Sequence, residues 1–326
     1  MQPSIVITTI QALTDPIRKF SVLLPEWPII LVGDRKTPTI TSNDHLCYLS
    51  IEDQKKLGFS LADQLPLDHY VRKNLGYLYS LKEYNGSVYD TDDDNTPYDD
   101  WSFPVFRQER IDTISGAAQY NVYRSFTDEN IWPRGFPLSR LAMQESVNVE
   151  AGSQHVGVWQ GLADLDPDVD AIHRLVFNQK ITFEKRAPFV LQQGCYCPFN
   201  SQNTLWDREM LAYAYLPASV SFRYTDILRG YIAQRCLWEH GRKLGFTRAT
   251  VFQDRNSHDL MKDFESEIPV YLHTERVMKL LDDVTLRADW AFNLVTIYRK
   301  LRAVGVVQES ELKLLSAWIK DIEPYM

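Results

Sequence analysis

Residues 1–95 alternate between short β-branched runs and helix signals, and this alternation limits the possible folds more than any other feature of the chain. Ile5–Ile10 is a continuous β-branched run and Ile29–Val32 is a continuous apolar run, and both are typical of strands that are buried on both faces. The helix-start signal Thr14-Asp15-Pro16 lies between them, and helical spacing follows at 70–81. Strand–helix–strand order with short links predicts an α/β fold with a largely parallel central sheet.

Four aspartates are crowded at the end of the strand predicted at 87–90. They are Asp90, Asp92, Asp93 and Asp94. Ligands of open α/β sheets bind beyond the carboxyl ends of strands, and alternate residues of a strand face the same side. Carboxylate oxygens suit Mg²⁺ or Mn²⁺, and one or two of them plus ligand phosphates make a typical site. The sequence therefore predicts a metal site at Asp92 and Asp94; a solvated acidic turn is the alternative.

Two basic residues, Arg72 and Lys73, lie near the start of the predicted helix that precedes the acidic strand. Bidentate arginine contacts suit phosphate oxygens, although a solvent-exposed helix face is an equally good interpretation of this pair alone. Combined with the aspartates at the end of the strand, the pair predicts a diphosphate bridged to the metal.

A second acidic cluster lies in GLADLDPDVDAIHRL, which includes Asp168 and Asp170. Asp-Pro-Asp is also a plain helix-start signature, so each of these acids has a structural interpretation beside a functional one. His173 follows in the same segment, and we expect it to be buried and hydrogen-bonded. Asp226 begins the clearest helix, 224–241, where it is either an N-cap or a general base.

Composition excludes several classes of function. A net charge of −8 argues against a nucleic-acid surface, and the sequence has no apolar run of the length that spans a bilayer. The Gly-rich phosphate loops, G-x-S-x-G and H-E-x-x-H are missing from the sequence. Four cysteines are too few for a disulfide scaffold, and a cytoplasmic location is the default expectation.

The rest of the chain divides into an aromatic segment and a helical end. Residues 96–154 predict an ordered loop region rich in aromatic residues, among them Trp101, Trp132 and Phe136. The composition from about residue 265 onwards is helical. We therefore expect an α/β domain at 1–267 and a C-terminal helical extension at 268–326, whose helices could serve a partner or a homo-oligomer.

In this order, the motifs resemble the plant STELLO family and, more distantly, the reversibly glycosylated polypeptides, which are UDP-arabinopyranose mutases. The similar motifs are IVITTI, IILVGD, RKNLGY, YDTDDDN, RGFPLSR, PDVDAIHRL, WDREML and FRYTDILRGY, between about Ser4 and Glu267. The resemblance implies a GT-A (Rossmann-like) glycosyltransferase fold with a mixed central sheet. In that fold a nucleotide sugar is bound through a metal ion held by the D-x-D aspartates. The resemblance thus implies that 1–267 is a nucleotide-sugar-binding catalytic domain, in which Trp101, Trp132 and Phe136 would form a platform for sugar and acceptor.

The resemblance also implies roles for individual residues. Asp92 and Asp94 would hold Mn²⁺ or Mg²⁺, and Asp92 would also bridge to the diphosphate. Asp34, Thr8 and Thr9, at the ends of the first two strands, would bind the nucleoside. Asp168 and Asp170 would contact the sugar, and Asp226 would lie near the acceptor. Arg72 and Arg134 would add positive charge beside the departing diphosphate.

One departure from the mutase pattern bears on the reaction. The mutases have a self-glycosylated arginine at the end of a segment like RGFPLSR, whereas Arg140 is displaced by one residue and Leu141 stands at the matching place. The departure favours transfer of a sugar from a donor to a separate acceptor. We expect the donor to be a UDP-sugar and the acceptor to be a glycan or lipid-linked, with the protein acting at the periphery of a membrane-bound glycan assembly system. The alternatives are a mutase and a non-catalytic scaffold for a polysaccharide synthase.

Overall fold

The computed structural model describes residues 1–143, 146–254 and 259–326. The strands are β1 Gln2–Thr9, β2 Ile29–Gly33, β3 Leu46–Leu49, β4 Asn85–Thr91, β5 Asn95–Pro97, β6 Arg107–Ser115, β7 Asn148–Leu165, β8 Phe189–Leu191, β9 Asn203–Trp206 and β10 Lys243–Gln253. The α-helices are α1 Asp15–Leu23, α2 Ile51–Lys56, α3 Lys73–Glu83, α4 Ala171–Val176, α5 Thr225–Glu239, α6 Leu260–Asp282, α7 Trp290–Ala303 and α8 Glu309–Ile322. Short 3₁₀ helices lie at Tyr70–Arg72, Val122–Ser125, Leu138–Arg140, Arg208–Ala214 and Glu323–Tyr325.

The strands of the described residues form one mixed sheet in the order β3-β2-β1-β4-β9-β7-β6-β8-β10-β5, and β7 also pairs with β10. β1, β2, β3 and β4 are mutually parallel. β9 is antiparallel to both β4 and β7, so β7 runs in the same direction as β4, and β10 is parallel to β7. The carboxyl ends of β1, β2, β4, β7 and β10 therefore meet at one edge of the sheet.

Two hydrophobic layers cover the sheet, because successive side chains of a buried strand point to opposite faces. In β1, Val6 contributes to the larger core beneath α3, α5 and the C-terminal helices, while Ile5 and Ile7 contribute to a smaller core beneath α1. The α/β class and the mixed sheet predicted from the sequence are confirmed by this arrangement.

The sequence interpretation was wrong for much of the segment predicted as a loop region. β6 lies inside it, and β7 begins within it at Asn148 and extends over 18 residues to Leu165. The first residues of β7 are mostly exposed and polar, so they lack the apolar pattern that identifies a buried strand. The helix that follows the Asp-Pro-Asp signature, α4, begins at Ala171.

The C-terminal helices pack into the same hydrophobic core as the sheet. Trp318 of α8 is fully buried and donates from its indole N–H to the carbonyl of Ala212 at 3.0 Å. Asp321 accepts hydrogen bonds from the backbone N–H groups of Ser60 and Leu61 at 2.9 and 2.7 Å. α8 is thus held against the N-terminal half of the chain. No helix within the described ranges is both long enough and apolar enough to cross a membrane.

Candidate active site

A cavity of about 240 Å³ opens at the sheet edge where the carboxyl ends of the strands meet. We call it the acidic cavity. Among the described residues it is lined by Thr8, Tyr70, Asp92, Asp93, Asp94, Arg134, Asp168, Ser201, Gln202, Phe222, Arg223, Asp226 and Gln253. The structure therefore brings the two acidic clusters predicted from the sequence to one place, although 74 positions separate Asp94 from Asp168.

A buried ion-pair network supports the floor of the acidic cavity at the end of β4. Lys73 and Asp90 are fully buried and joined by a 2.8 Å salt bridge, and Lys73 Nζ also lies 3.3 Å from Asp92 Oδ1. The other Asp90 oxygen accepts from Arg229 at 3.0 Å and from the Tyr77 hydroxyl at 2.7 Å. Lys73 is thus already bonded to carboxylates, because an ammonium group inside a protein needs such partners.

The three aspartates after β4 face the acidic cavity with few counter-charges. Burial raises the pKa of Asp92 to about 7, an effect that Lys73 opposes and that neighbouring Asp94 adds to. Asp93 accepts a 2.5 Å hydrogen bond from Thr9 Oγ1, and burial raises its pKa despite that bond. Asp94 Oδ1 accepts from the Gln253 amide at 2.7 Å. Protons or a metal ion would relieve the repulsion within this cluster.

Arg134 joins two carboxylates on the opposite wall of the acidic cavity. Its Nε and Nη2 donate to the two oxygens of Asp168 at 2.8 Å each. Nη1 and Nη2 donate to the two oxygens of Asp226 at 3.1 and 2.9 Å, and Nη1 also donates to the backbone carbonyl of Arg223. The neighbouring carboxylates keep the pKa of Arg134 well above its usual range, although burial acts to lower it. The guanidinium group therefore stays charged and fixes both carboxylates.

Asp170, predicted to contact the sugar, is fully buried outside the lining of the acidic cavity. It caps α4 by accepting from the backbone N–H of His173 at 2.8 Å, and it accepts from the Trp132 indole at 2.6 Å. Burial raises its pKa to about 6. The helix-cap interpretation of this residue is the one that its geometry supports, and His173 is buried as expected.

A neighbouring cavity of about 230 Å³ adjoins the acidic cavity and shares Thr8, Tyr70, Asp93 and Phe222 with it. We call it the apolar cavity; the other described residues that line it are Thr9, Ile10, Val32, Gly33, Asp34, Lys36, Asp68, His69 and Arg72.

The rings of Tyr70 and Phe222 lie 4.6 Å apart between centroids, and those of His69 and Phe222 lie 5.3 Å apart. Asp34 accepts from the backbone N–H of His69 at 3.1 Å. The apolar cavity therefore presents aromatic faces together with carboxylate acceptors.

Arg72 is almost completely buried, in contrast to the exposed helix face that the sequence left open. Its Nε donates to Gln54 at 2.7 Å and its Nη1 to the carbonyl of Leu65 at 3.3 Å. The side chain lines the apolar cavity instead of the acidic one.

The predicted aromatic platform was wrong. Trp101 packs against Phe20 and Tyr89 in the smaller core, with the Tyr89 ring centroid 5.0 Å away. Trp132 and Phe136 are buried as well. Large aromatic side chains gain most from leaving water, so a segment rich in them is often interior. Tyr70 and Phe222 are the tyrosine and phenylalanine that line both cavities among the described residues. They lie in the helical segment at 70–81 and in the motif FRYTDILRGY, but the sequence assigned neither of them to a site.

The donor set of the acidic cavity fits a divalent cation that takes part of its coordination from a substrate. Among the residues that the structure describes, no group of three or more His, Cys, Asp or Glu side chains is arranged to hold a metal ion. Magnesium sites in nucleotide enzymes commonly use one or two carboxylates, with phosphates and water supplying the other oxygens. Asp92 and Asp94 match that smaller set of hard ligands.

Two comparisons with known proteins relate the chain to one family. The model of the family described as STELLO glycosyltransferases matches residues 223–325, which include Asp226 and α5 to α8. The chain is 29% identical over 329 residues to the Arabidopsis thaliana protein named "Probable glycosyltransferase STELLO1", an alignment that covers 93% of this chain and 42% of that protein. It is 28% identical over 331 residues to "Probable glycosyltransferase STELLO2" of the same plant, covering 92% and 42%.

The chain spans less than half the length of these two relatives. The similarity nevertheless extends through both acidic clusters and the C-terminal helices, since it covers over nine-tenths of the chain. The resemblance predicted from the sequence motifs is therefore confirmed, and over most of its length this chain is similar to the STELLO glycosyltransferases.

Proposed function

We propose that this chain transfers a sugar from a nucleotide-diphosphate sugar, with a UDP-sugar as the expected donor, to a hydroxyl group of a glycan or lipid-linked acceptor. The acidic cavity would hold the diphosphate and the glycosyl group, and the apolar cavity would hold the nucleoside against His69 and Phe222. The proposal includes the GT-A assignment, dependence on Mn²⁺ or Mg²⁺, and action beside a membrane-bound glycan assembly system. The similarity to STELLO glycosyltransferases supports the transferase class.

One observation carries the metal part of the proposal. The described lining of the acidic cavity contains five aspartates and two arginines, and both arginines are already bonded to carboxylates: Arg134 to Asp168 and Asp226, and Arg223 to Glu267. Such a cavity repels a diphosphate unless a cation is added. Asp92 and Asp94 would hold that cation. When bound, Mn²⁺ or Mg²⁺ supplies positive charge to the departing diphosphate oxygen.

In the proposed reaction the bond from the anomeric carbon to the diphosphate oxygen breaks, and a bond from the acceptor hydroxyl oxygen to that carbon forms. The hydroxyl proton passes to a base, and the nucleoside diphosphate leaves. Asp226 is the candidate base, and each of its oxygens accepts one hydrogen bond from Arg134. Oδ1 also accepts from the backbone N–H of Ile227 at 3.0 Å, and Oδ2 from that of Ser201 at 3.4 Å. Because a carboxylate has about four acceptor positions, proton abstraction requires that one of these four hydrogen bonds be given up. Replacing Asp226 with Asn should therefore lower turnover at saturating donor and acceptor if the assignment is right.

Calorimetric titration of UDP and GDP, each with and without Mn²⁺, tests the proposal directly. The double variant Asp92→Asn/Asp94→Asn should lose metal-dependent UDP binding. The matched control is Asp44→Asn/Asp63→Asn, which removes the same charge from two exposed positions outside both cavities and should bind as the wild type does.

The outcomes separate the enzyme from its rivals. Metal-dependent UDP binding followed by release of free UDP from a UDP-sugar in the presence of an acceptor supports a transferase, whereas a changed sugar ring without released UDP supports a mutase. If neither nucleotide binds to the folded protein with Mn²⁺ present, the proposal is wrong and a scaffold role becomes the better account.

A further inference from the structure

We propose that Gln253 is a positioning residue for the proposed metal site, where its amide holds the Asp94 carboxylate in one orientation without neutralising its charge. This inference rests on the proposed function, because it assumes that Asp94 helps to hold the cation. It goes further by assigning a role to a residue that no motif of the sequence singled out.

The three aspartates that follow β4 are held from three different elements of the fold. Lys73, the first residue of α3, reaches Asp92, with its Nζ 3.3 Å from Oδ1. Thr9, the last residue of β1, donates to Asp93. The anchor of Asp94 comes from a third element, β10. Each carboxylate therefore has an anchor of its own, although the three aspartates follow one another directly in the chain.

The anchor of Asp94 is Gln253, the last residue of β10, which is only 3% exposed. Its Nε2 donates to Asp94 Oδ1 at 2.7 Å, and in the described part of the chain this is the one hydrogen bond that the Asp94 carboxylate accepts. The Gln253 backbone is held on both sides, since it pairs with Leu165 of β7 and with Asn95 of β5. A side chain on a strand that is paired on both sides is a rigid support for a binding site.

The orientation of the Gln253 amide is fixed by hydrogen bonds at both of its polar atoms. Its Oε1 accepts from Gln202 Nε2 at 2.7 Å, and the same Nε2 donates to the backbone carbonyl of Asp166 at 3.3 Å. An ionised carboxylate and a backbone carbonyl accept hydrogen bonds but donate none, so neither amide can be turned over without setting two oxygens against each other. The nitrogen of Gln253 therefore faces Asp94.

A neutral donor suits a metal-binding carboxylate because it orders the group and leaves its charge for the cation. Lys73, by contrast, places a positive charge beside Asp92. Asp94 is partly exposed, so without the Gln253 amide its side chain would gain rotamer freedom that cation binding must then remove. Groups that orient a metal ligand in this way typically contribute about 10–100-fold to metal affinity.

Gln253→Met is the central variant, because methionine keeps most of the side-chain volume but cannot donate a hydrogen bond. We would measure the affinity for UDP by calorimetry, with Mn²⁺ at a fixed concentration. The inference predicts a loss of about tenfold in Gln253→Met. With Asp94→Ala already in place, adding Gln253→Met should change the affinity by less than about twofold, because the amide acts only through the Asp94 carboxylate.

Gln234→Met is the matched control. It removes an equally buried amide, which bonds the backbone N–H and carbonyl of Cys197 outside both cavities. It should leave the UDP affinity within about twofold of that of the wild type. If Gln253→Met does not fold, Gln253→Asn, which shortens the same amide by one methylene group, should show a loss of the same sign.

Three results would overturn the inference and leave the proposed function standing. The first is a folded Gln253 variant that binds UDP as the wild type does, and the second is an equal loss of affinity in Gln234→Met. The third is a full effect of Gln253→Met in the presence of Asp94→Ala, which would mean that the residue does not act through Asp94. Failure of the wild type to bind UDP with Mn²⁺ removes the proposed function itself, and the inference with it.

Discussion

The ion-pair network around Asp90 gives a quantitative prediction, because its two cations depend on one carboxylate to different extents. Asp90 is fully buried between Lys73 and Arg229. In Asp90→Asn both buried cations lose their shared carboxylate, and breaking a buried ion pair costs about 3–5 kcal/mol. We therefore expect the free energy of unfolding to fall by about 4 kcal/mol.

Lys73→Met should cost less, although it removes a residue from the same salt bridge. Asp90 would keep Arg229 at 3.0 Å and the Tyr77 hydroxyl at 2.7 Å, so its charge remains neutralised. The methionine chain fills much of the same space, and the remaining loss is that of hydrogen bonds to buried acceptors, each worth about 1 kcal/mol. We expect a loss of about 2 kcal/mol, half that of Asp90→Asn.

Urea unfolding at pH 7.5 and 25 °C, followed by tryptophan fluorescence, would measure both values. Lys19→Met is a suitable control because Lys19 pairs with Asp99 at an exposed site, where an ion pair is worth less than about 1 kcal/mol. If Lys73→Met is as destabilising as Asp90→Asn, or if Asp90→Asn costs less than about 1 kcal/mol, the charge-sharing argument is wrong.

Three further predictions concern separate parts of the fold. Burial raises the pKa of Asp170 to about 6, so the stability that its protonated form contributes is lost as the pH rises. Between pH 5 and 7.5, the free energy of unfolding of the wild type, measured in urea, should fall by on the order of 1.5 kcal/mol relative to that of Asp170→Asn. The buried carboxylate of Glu311 accepts hydrogen bonds from the backbone N–H groups of Ala218 and Ser219, in the loop before α5. Glu311→Ala should therefore lower stability by about 3 kcal/mol and speed proteolysis of that loop. Unchanged protease sensitivity would contradict this role. Gly135 and Gly194 both have a positive φ, but only at Gly135 would an added Cβ lie 2.4 Å from a side-chain atom of Ile227. In thermal unfolding, Gly135→Ala should therefore lower stability by about 3 kcal/mol and Gly194→Ala by about 1 kcal/mol. Equal losses of stability would refute the steric argument.

The sequence was sufficient to predict the parallel half of the sheet and the place of the acidic edge. β1 and β2 are buried on both faces, so their residues form continuous apolar runs that can be recognised without a structure. The residues after such strands lie at one edge by the geometry of parallel strands, which is why Asp34 and the aspartates after β4 were predicted to lie near a ligand.

The partners of the charged residues could not be predicted in the same way. Arg134 meets carboxylates that are 34 and 92 positions further along the chain, and no local pattern encodes that meeting. Lys73 and Arg72 have the composition of an exposed helix start, yet both are buried because Asp90 and Gln54 provide partners from other elements. Burial of a charge depends on such long-range partners, so it becomes visible only in the folded chain.

The attachment of α8 to the N-terminal half has a consequence for how the chain folds during synthesis. Asp321 bonds the backbone of Leu61, 260 positions earlier, and Trp318 fills the same core as α3. At about 5–20 residues per second, a ribosome needs about 13 to 52 s to travel between these two positions. For that time the apolar surface that α8 later covers is open to solvent on the nascent chain. We therefore expect this protein to need a holding chaperone in cells and to aggregate when synthesis stalls before residue 309.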